Sequence, residues 1–418
     1  MSSSSEAPSW VARIDPRLRV LYLFGLAIAL FLVRAPGVVA AVVAAQVALA
    51  LGAGIPLERV VRNARKLVPF GLALALTFAF FPEEGNPRWV TIPPGLTVSL
   101  GGLALAGLML ARIFAIVLAS DVARLGDPRA FARGLRGLGA PRAFATAIDV
   151  TLQLLGASER GRGSGGGRGR GGGQGRHRET GEVPAVAGGV GRWRAFVGAL
   201  ARGDVRPLVT ELNESLQRAS AQVARRGDPG TGLSAHDLGI VAGIATAMLA
   251  LKILKILPGI PFAPGHKGVF LIPLYILAGA LTRMRWGATL TGATMGTIAF
   301  LMGDGKYGVF EILKHVAPGV VVDLLLPVFR RGGREPGVVA WCVFGFLVAL
   351  GRFATVVVIT LLVAAPEQIW VLLAVPAVVH LVFGTLSGLV SYHLMRMLDE
   401  IRPAAAEEET PPAARRWR

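Results

Sequence analysis

Apolar residues in this 418-residue chain come in long runs that short polar stretches separate. An α-helix needs about 20 apolar residues to cross the hydrocarbon core of a bilayer, and these runs are close to that length. The pattern predicts about ten transmembrane helices, at residues 18–33, 37–54, 67–81, 98–119, 238–257, 269–284, 287–303, 309–329, 337–364 and 368–394. The third run is short, which predicts a tilted or partly re-entrant helix.

Composition supports an all-α, polytopic helical membrane protein with a cytoplasmic helical module. Hydrophobic residues make up 53% of the chain and charged residues 17%, whereas soluble domains carry about 25% charged residues. Cys342 is the single cysteine, so an intrachain disulfide and a cysteine metal cluster are excluded. No catalytic motif and no metal motif is present, and we expect a transport subunit rather than an enzyme.

The formal net charge of +18 is distributed unevenly between the polar stretches. Cytoplasmic loops of membrane proteins retain Lys and Arg, and one orientation satisfies almost every loop here. It places both termini and the arginine-rich residues 120–236 in the cytoplasm, and it places residues 82–95 outside. The expected location is the cytoplasmic (inner) membrane, in contact with lipid.

The polar segment 120–236 has three parts. Residues 121–155 show helical periodicity with a break at 139–141, and residues 204–227 carry an apolar stripe at i, i+4 spacing. The second helix suits either the membrane surface or a groove on a partner. Residues 158–182 are rich in Gly and Arg, which predicts a disordered insert. We favour a solvated linker over an RNA-binding tract and expect no nucleic-acid partner.

Four short motifs resemble the T component of energy-coupling factor (ECF) importers, the CbiQ/EcfT family, over about residues 10–255. "ARIDPRLR" resembles the family's opening Asp-Pro-Arg-x-Lys run, with Arg19 at the lysine position. Arg112 resembles an arginine of the fourth span. "FARGLRGLGAP" (131–141) is similar to a coupling segment, and "AQVARRG" (221–227) to an Ala-Arg-Gly motif.

The resemblance implies a mechanism in which ABC-type ATPases bind the cytoplasmic helices. ATP would be bound in those partner subunits, and no cofactor is bound directly by this chain. The implied ATPase-coupling residues are Arg133, Arg136, Ala224, Arg225, Arg226 and Gly227. A separate substrate-binding S component is a further candidate partner. The predicted coupling domain covers residues 1–257.

Residues 258–402 form a second predicted membrane domain, followed by a cytoplasmic tail, residues 403–418. Its span number and its Pro/Gly-rich loops resemble an S component. Ionisable groups at membrane depth face a cavity or one another by default. The predicted small-molecule pocket therefore comprises His266, Lys306, Tyr307, Glu311, Lys314, His315 and Asp323. The alternative is an interhelical ion-pair network. His380 and His393 are expected to be packing or interfacial residues.

The sequence thus predicts a transmembrane subunit of an ECF-type ABC importer that takes up a small micronutrient, namely a vitamin, a precursor or a metal ion. Two alternatives remain. One is an ATPase-independent secondary transporter or channel whose cytoplasmic insert is regulatory. The other is a membrane-tethered RNA-binding protein that uses the Gly/Arg tract.

Overall fold

The fold comes from a computed structural model of the full chain. It describes residues 10–33, 35–79, 89–92, 95–125, 129–163, 234–253, 267–302, 308–330, 336–363 and 369–408, together with residues 216, 217, 219 and 221. Throughout these ranges the chain is almost entirely helical, which confirms an all-α membrane protein.

The first described element is a 3-10 turn, Trp10–Arg13. Three helices follow: α1 (Pro16–Leu32), α2 (Pro36–Gly52) and α3 (Leu57–Ala79). The third helix has 23 residues and begins about ten residues before the predicted span. The helix is therefore longer than the apolar run, and the prediction of a short third span stays a prediction. The first turns of α3 carry arginines. Their hydropathy therefore resembles that of a loop, although these residues are helical.

A small β-hairpin precedes the fourth helix, in a region that the sequence suggested was an irregular external loop. Strands β1 (Trp89–Ile92) and β2 (Leu96–Ser99) pair antiparallel, with Val90 opposite Val98. Gly95 has φ +115°, a conformation that glycine adopts at little cost. Helix α4 (Leu100–Ala123) starts at once, because the Ser99 hydroxyl accepts the Gly102 N–H.

The predicted cytoplasmic module contains α5 (Ala130–Gly137) and α6 (Arg142–Gly163). The break predicted at residues 139–141 is present: Gly139 has φ +87°, the left-handed conformation that ends many helices. Because α6 continues to Gly163, residues 158–163 are helical, and the prediction of a disordered insert was wrong for them. The remainder of the insert lies outside the described residues.

Four described positions of the predicted 204–227 helix bear on its apolar stripe. Residues 216, 217, 219 and 221 are helical. Ala219 is fully buried with Val150 and Leu238. Leu216 lies against Gly243, where a Cβ would approach its side chain to 2.8 Å. The stripe thus contacts the following bundle at both described apolar positions.

Among the described residues after 234, six helices make up what we call the C-terminal half, which includes α7 of the predicted coupling domain: α7 (Ala235–Ile253), α8 (Gly268–Leu281), α9 (Gly287–Leu301), α10 (Glu311–Arg330), α11 (Val338–Val363) and α12 (Ile369–Glu408). Glycines allow close backbone approach between these helices. Gly345 and Gly388 bring α11 and α12 together, and Gly319 lies against the Ala288 carbonyl at the start of α9.

Four helices of the described chain are long and apolar enough to cross a membrane: α4, and the greater parts of α10, α11 and α12. Helices α2, α7, α8 and α9 are also apolar, but their apolar segments are only 10–17 residues long. Every one of the ten predicted spans coincides with a helix, and the chain is a multi-pass membrane protein.

A single buried cluster runs through both halves, from Val20 and Leu23 of α1 to Leu394 and Met395 of α12. The predicted domain boundary at residues 257 and 258 therefore does not separate two hydrophobic cores. The domain division itself stays a prediction.

One contact departs from the expected sidedness. The Ser120 hydroxyl donates to the Leu301 carbonyl. In the expected topology the end of α4 lies on the cytoplasmic side of the membrane and the end of α9 on the external side. Helix α9 has 15 residues and a length of about 22 Å, which is too short to span the hydrocarbon core. Phe300 contacts Phe24 in the middle of α1, and the chain reaches the end of α1 at Phe310, whose ring contacts Phe31.

Candidate functional site

Helix α5 is seated on the first turns of α1 through two glycines. A Cβ at Gly134 would overlap the Pro16 carbonyl oxygen, and a Cβ at Gly137 would overlap the Arg17 side chain. Phe131 is also buried and its ring lies 6.4 Å from the Phe24 ring. Close contact between the two backbones therefore requires glycine at these positions and fixes α5 on α1.

The opposite face of α5 is cationic. Arg129, just before the helix, and Arg133 and Arg136 are all exposed, at i, i+4 and i+7 spacing. Arg136 donates to the Thr146 hydroxyl of α6, which orients its side chain across the helix break. The two predicted coupling arginines thus share one exposed surface, which we call the arginine face (Arg129, Arg133 and Arg136).

The opening motif positions the start of α1. Asp15 caps the helix by accepting the Arg17 N–H at 2.7 Å, and Pro16 occupies the first turn, where its fixed φ suits a helix. Arg19 is buried and donates to the Ile14 carbonyl and, at 3.0 Å, to the Leu125 carbonyl after α4. The motif therefore joins the ends of α1 and α4 and supports α5.

Two polar contacts attach α4 to its neighbours. Arg112, the predicted arginine of the fourth span, donates to the Val33 carbonyl at the end of α1. Asp121 is buried and accepts from Arg59 at 2.9 Å and from Asn63 at 2.7 Å. Arg59 at the start of α3 therefore has a structural role that loop composition did not indicate.

A second group of ionisable side chains lies in the C-terminal half. Glu311 forms ion pairs with Lys314 and, at 3.7 Å, with His315 if the imidazole is protonated. The His315 Nδ1 is 2.8 Å from the Tyr275 hydroxyl of α8. Because Glu311 lies on the Nε2 side, we assign the hydrogen to Nε2, so that Tyr275 donates to Nδ1. Glu311, Lys314 and His315 lie together on one face of α10, and Tyr275 joins them from α8; their role in a pocket stays a prediction.

Helix α9 packs tightly over this group. A Cβ at Gly292 would overlap the His315 carbonyl oxygen and lie 3.2 Å from the Tyr275 ring. A Cβ at Gly296 would lie 3.0 Å from the Ile312 Cα and 3.1 Å from the His315 Cβ. Gly292 and Gly296 therefore pack α9 onto α10 beside the ionisable side chains.

Sequence reasoning missed Arg352 and assigned His380 to packing. Arg352 is 7% exposed, and within the described structure neither its Nε nor its Nη1 has a hydrogen-bond partner. The His380 ring does pack on Phe353, at 5.4 Å between ring centroids, and its Nδ1 lies 2.7 Å from the Pro376 carbonyl. The available signal was that Arg352 is the one Lys, Arg, Asp or Glu residue in the 26-residue helix α11.

Asp323 does not belong to this group. Its carboxylate accepts the backbone N–H groups of Ala288, at 3.1 Å, and Thr289, at 2.7 Å, at the N-terminus of α9. Twelve residues of helix separate it from Glu311, which corresponds to about 18 Å. The geometry assigns Asp323 to capping α9 rather than to the predicted pocket.

The other predicted site residues lie outside the described residues. These are His266, Lys306 and Tyr307 of the pocket, and Ala224, Arg225, Arg226 and Gly227 of the second coupling motif. Their roles remain predictions.

Comparison with known families identifies the N-terminal part of the chain. Residues 7–155 match the family model CbiQ, described as a cobalt transport protein. No curated protein and no solved structure matches the chain. The matched region ends within α6, so the resemblance predicted for residues 156–255 and the S-component-like character of the C-terminal half stay predictions. The match supports a transport-related membrane component and agrees with the resemblance that the sequence motifs indicated for this part of the chain.

Proposed function

We propose that this chain is the transmembrane coupling subunit of an ECF-type ABC importer in the cytoplasmic membrane, with both termini in the cytoplasm. Cytosolic ATPases would bind the helical module and drive uptake of a small micronutrient. The observation that carries this proposal is the arginine face of α5, which is exposed while the helix is seated on α1 through Gly134 and Gly137. It lies within residues 7–155, which match the CbiQ family model.

The chemistry of the arginine face suits an acidic protein partner. A guanidinium offers a planar fork of donors that matches a carboxylate. Binding costs less side-chain entropy when the arginine is already oriented before the partner arrives. The bond from Arg136 to Thr146 supplies such orientation. Exposed charges of one sign also steer an oppositely charged partner to the surface.

The packing of α5 gives a route for transmitting movement into the membrane. Since Gly134 and Gly137 hold α5 in contact with the backbone and side chains of α1, a displacement of α5 must be accompanied by movement of the start of α1. Arg19 connects the same region to the end of α4. Helix α6 packs along α7 through Val150, Leu238 and Ala242, which links the module to the C-terminal half.

The C-terminal half is proposed to bind substrate at the group formed by Tyr275, Glu311, Lys314 and His315. Side chains of this kind are expensive at membrane depth, and they are enriched along substrate pathways. The competing role is an interhelical network that only holds α8 and α10 together. Binding measurements with substitutions in this group separate the two roles.

The coupling proposal is tested by co-purification of the tagged chain with the ABC ATPases of its host. Arg133→Glu reverses one charge on the exposed face without touching the buried side of α5, so the chain should still accumulate in the membrane. We expect the ATPase recovered with it to fall by roughly tenfold. The matched control is Arg62→Glu, another exposed arginine near the start of α3. If the wild-type chain recovers no ATPase, or if both variants recover it equally well, the proposal is wrong.

A further inference from the structure

The packing of its two chain neighbours places Arg352 of α11 beside α10 and α12: Gly351 lies against α10, and Phe353 lies against the His380 ring of α12. Its neighbour Gly351 lies against Val321 and the Ala317 carbonyl, so Arg352 is at the height of the turn that follows His315. Arg352 is also close enough to Tyr275 and to His380 to act on both electrostatically. The surrounding residues therefore come from four helices: α8, α10, α11 and α12.

Among the described residues of this region, the positive and negative charges do not balance. Glu311 forms an ion pair with Lys314 and faces His315, so its carboxylate is already engaged within α10. Arg352 adds a second cation that is more than nine-tenths buried, with two guanidinium nitrogens that lack a hydrogen-bond partner in the described structure. An uncompensated buried charge generally lowers the stability of a protein by several kcal/mol. Such a residue is seldom retained unless it has a role. The excess of positive charge attracts an anion and repels a metal cation.

His380 supplies a complementary group. The Pro376 carbonyl can only accept, so the Nδ1 of His380 must carry the hydrogen in their 2.7 Å bond. The neutral ring then presents the Nε2 lone pair, and within the described residues this buried atom has no partner. A ligand that fits must therefore bring oxygen acceptors to Arg352 and a donor to His380.

We propose that Arg352, with His380 and Tyr275, forms the recognition site for a small substrate that carries an oxyanion, either a carboxylate or a phosphate group. Arg352 binds the oxyanion through its planar fork, and the His380 ring accepts a hydrogen bond from a neighbouring O–H or N–H of the ligand. This inference rests on the proposal that the C-terminal half binds substrate, and it specifies the substrate class.

The first test measures the thermal stability of the ligand-free chain purified in detergent. Arg352→Met removes the uncompensated charge and keeps an unbranched side chain, so we expect the unfolding temperature to rise by at least about 2 °C. The control is Arg396→Met, a substitution of an exposed arginine of α12, which should leave that temperature nearly unchanged. A lower unfolding temperature for Arg352→Met would mean that Arg352 is a structural residue and would overturn the proposal.

The second test adds defined probes at equal ionic strength: benzoate, acetate, inorganic phosphate, phenyl phosphate, cobalt chloride and an anionic phospholipid. We expect a carboxylate or a phosphate probe to raise the unfolding temperature of the wild type and of Arg396→Met, but not of Arg352→Met. Comparison of the two kinds of probe identifies the oxyanion. The proposal is overturned if cobalt or phospholipid alone stabilises the wild type, if no oxyanion does, or if Arg352→Met responds equally.

Two further variants keep the experiment decisive. If Arg352→Met does not reach the membrane, Arg352→Lys replaces it, because lysine keeps the charge and loses the bidentate fork. A clearly smaller probe-induced shift is then expected, and an unchanged shift would contradict the proposal. Arg133→Glu should respond to the probes like the wild type, so failure of ATPase coupling and failure of oxyanion binding are distinguishable.

Discussion

Gly137 of α5 lies against the side chain of Arg17 of α1, so closely that a Cβ at position 137 would overlap the Arg17 Nε, Cγ and Cδ atoms. Two sequence motifs more than a hundred residues apart are thereby in direct contact. The opening Asp-Pro-Arg motif and the coupling segment are parts of one structural unit in which α1 supports α5.

Substitution of the neighbouring glycine tests this unit. In Gly134→Ala the new methyl group would overlap the Pro16 carbonyl, which is backbone and cannot rotate away. We expect α5 to be displaced, at a cost of about 1–3 kcal/mol, and ATPase recovery in co-purification to fall. Gly107→Ala in α4 is the control, because a Cβ there meets nothing within 4 Å. Equal ATPase recovery from both variants would show that the seating of α5 does not matter for coupling.

Arg19 provides a second prediction about the opening motif. Its guanidinium donates to the Ile14 and Leu125 carbonyls, and the residue is 5% exposed. Arg19→Ala removes the donor to both carbonyl groups in a partly buried region. We expect a loss of roughly 1–3 kcal/mol in stability, seen as a lower unfolding temperature in detergent. Arg19→Lys should lose less, because an ammonium can still reach one of the two carbonyls. A Lys variant as unstable as the Ala variant would contradict this account.

Hydropathy predicted the positions of the ten helices, and most of their ends to within a few residues, because bilayer thickness sets the length of an apolar run. It did not predict the start of α3, where the partly exposed Arg59 donates to the buried Asp121, 62 positions further along the chain. Composition near a helix end cannot distinguish a solvated arginine from one with a distant partner. The β-hairpin was missed because its strands are four residues long and lie beside Pro and Gly.

The candidate site likewise contains residues that the sequence predicted and residues that it did not. Glu311, Lys314 and His315 were predicted together because helical spacing places i, i+3 and i+4 on one face. Arg352, Tyr275 and His380 come from other helices, so local spacing carries no information about their proximity. The capping role of Asp323 was also unpredictable, since its partners lie 34 and 35 residues away.

The end of α6 leads to a prediction about the Gly/Arg insert. Helix α6 continues to Gly163 and packs against α7 through Thr151, whose hydroxyl approaches the Ala242 carbonyl at 3.5 Å. Removal of residues 164–182 keeps this helix intact, so the amount of chain in the membrane and the ATPase recovered with it should not change. Removal of 142–182 deletes α6 and should prevent accumulation. Loss of ATPase recovery in the shorter deletion would show that the insert takes part in coupling.

Asp323 gives the prediction that best separates structure from substrate binding. Its carboxylate accepts two backbone N–H groups at the N-terminus of α9 and is 6% exposed. Asp323→Ala removes the cap and the negative charge that the helix dipole favours, so stability should fall by about 1–2 kcal/mol. Asp323→Asn keeps one acceptor oxygen and should lose less. The shift in unfolding temperature that an oxyanion probe induces should be unchanged in both variants, because the Asp323 carboxylate is bonded to the N-terminus of α9, whereas the proposed oxyanion site is formed by Arg352, His380 and Tyr275. A selective loss of that shift, with unaltered stability, would return Asp323 to the substrate site.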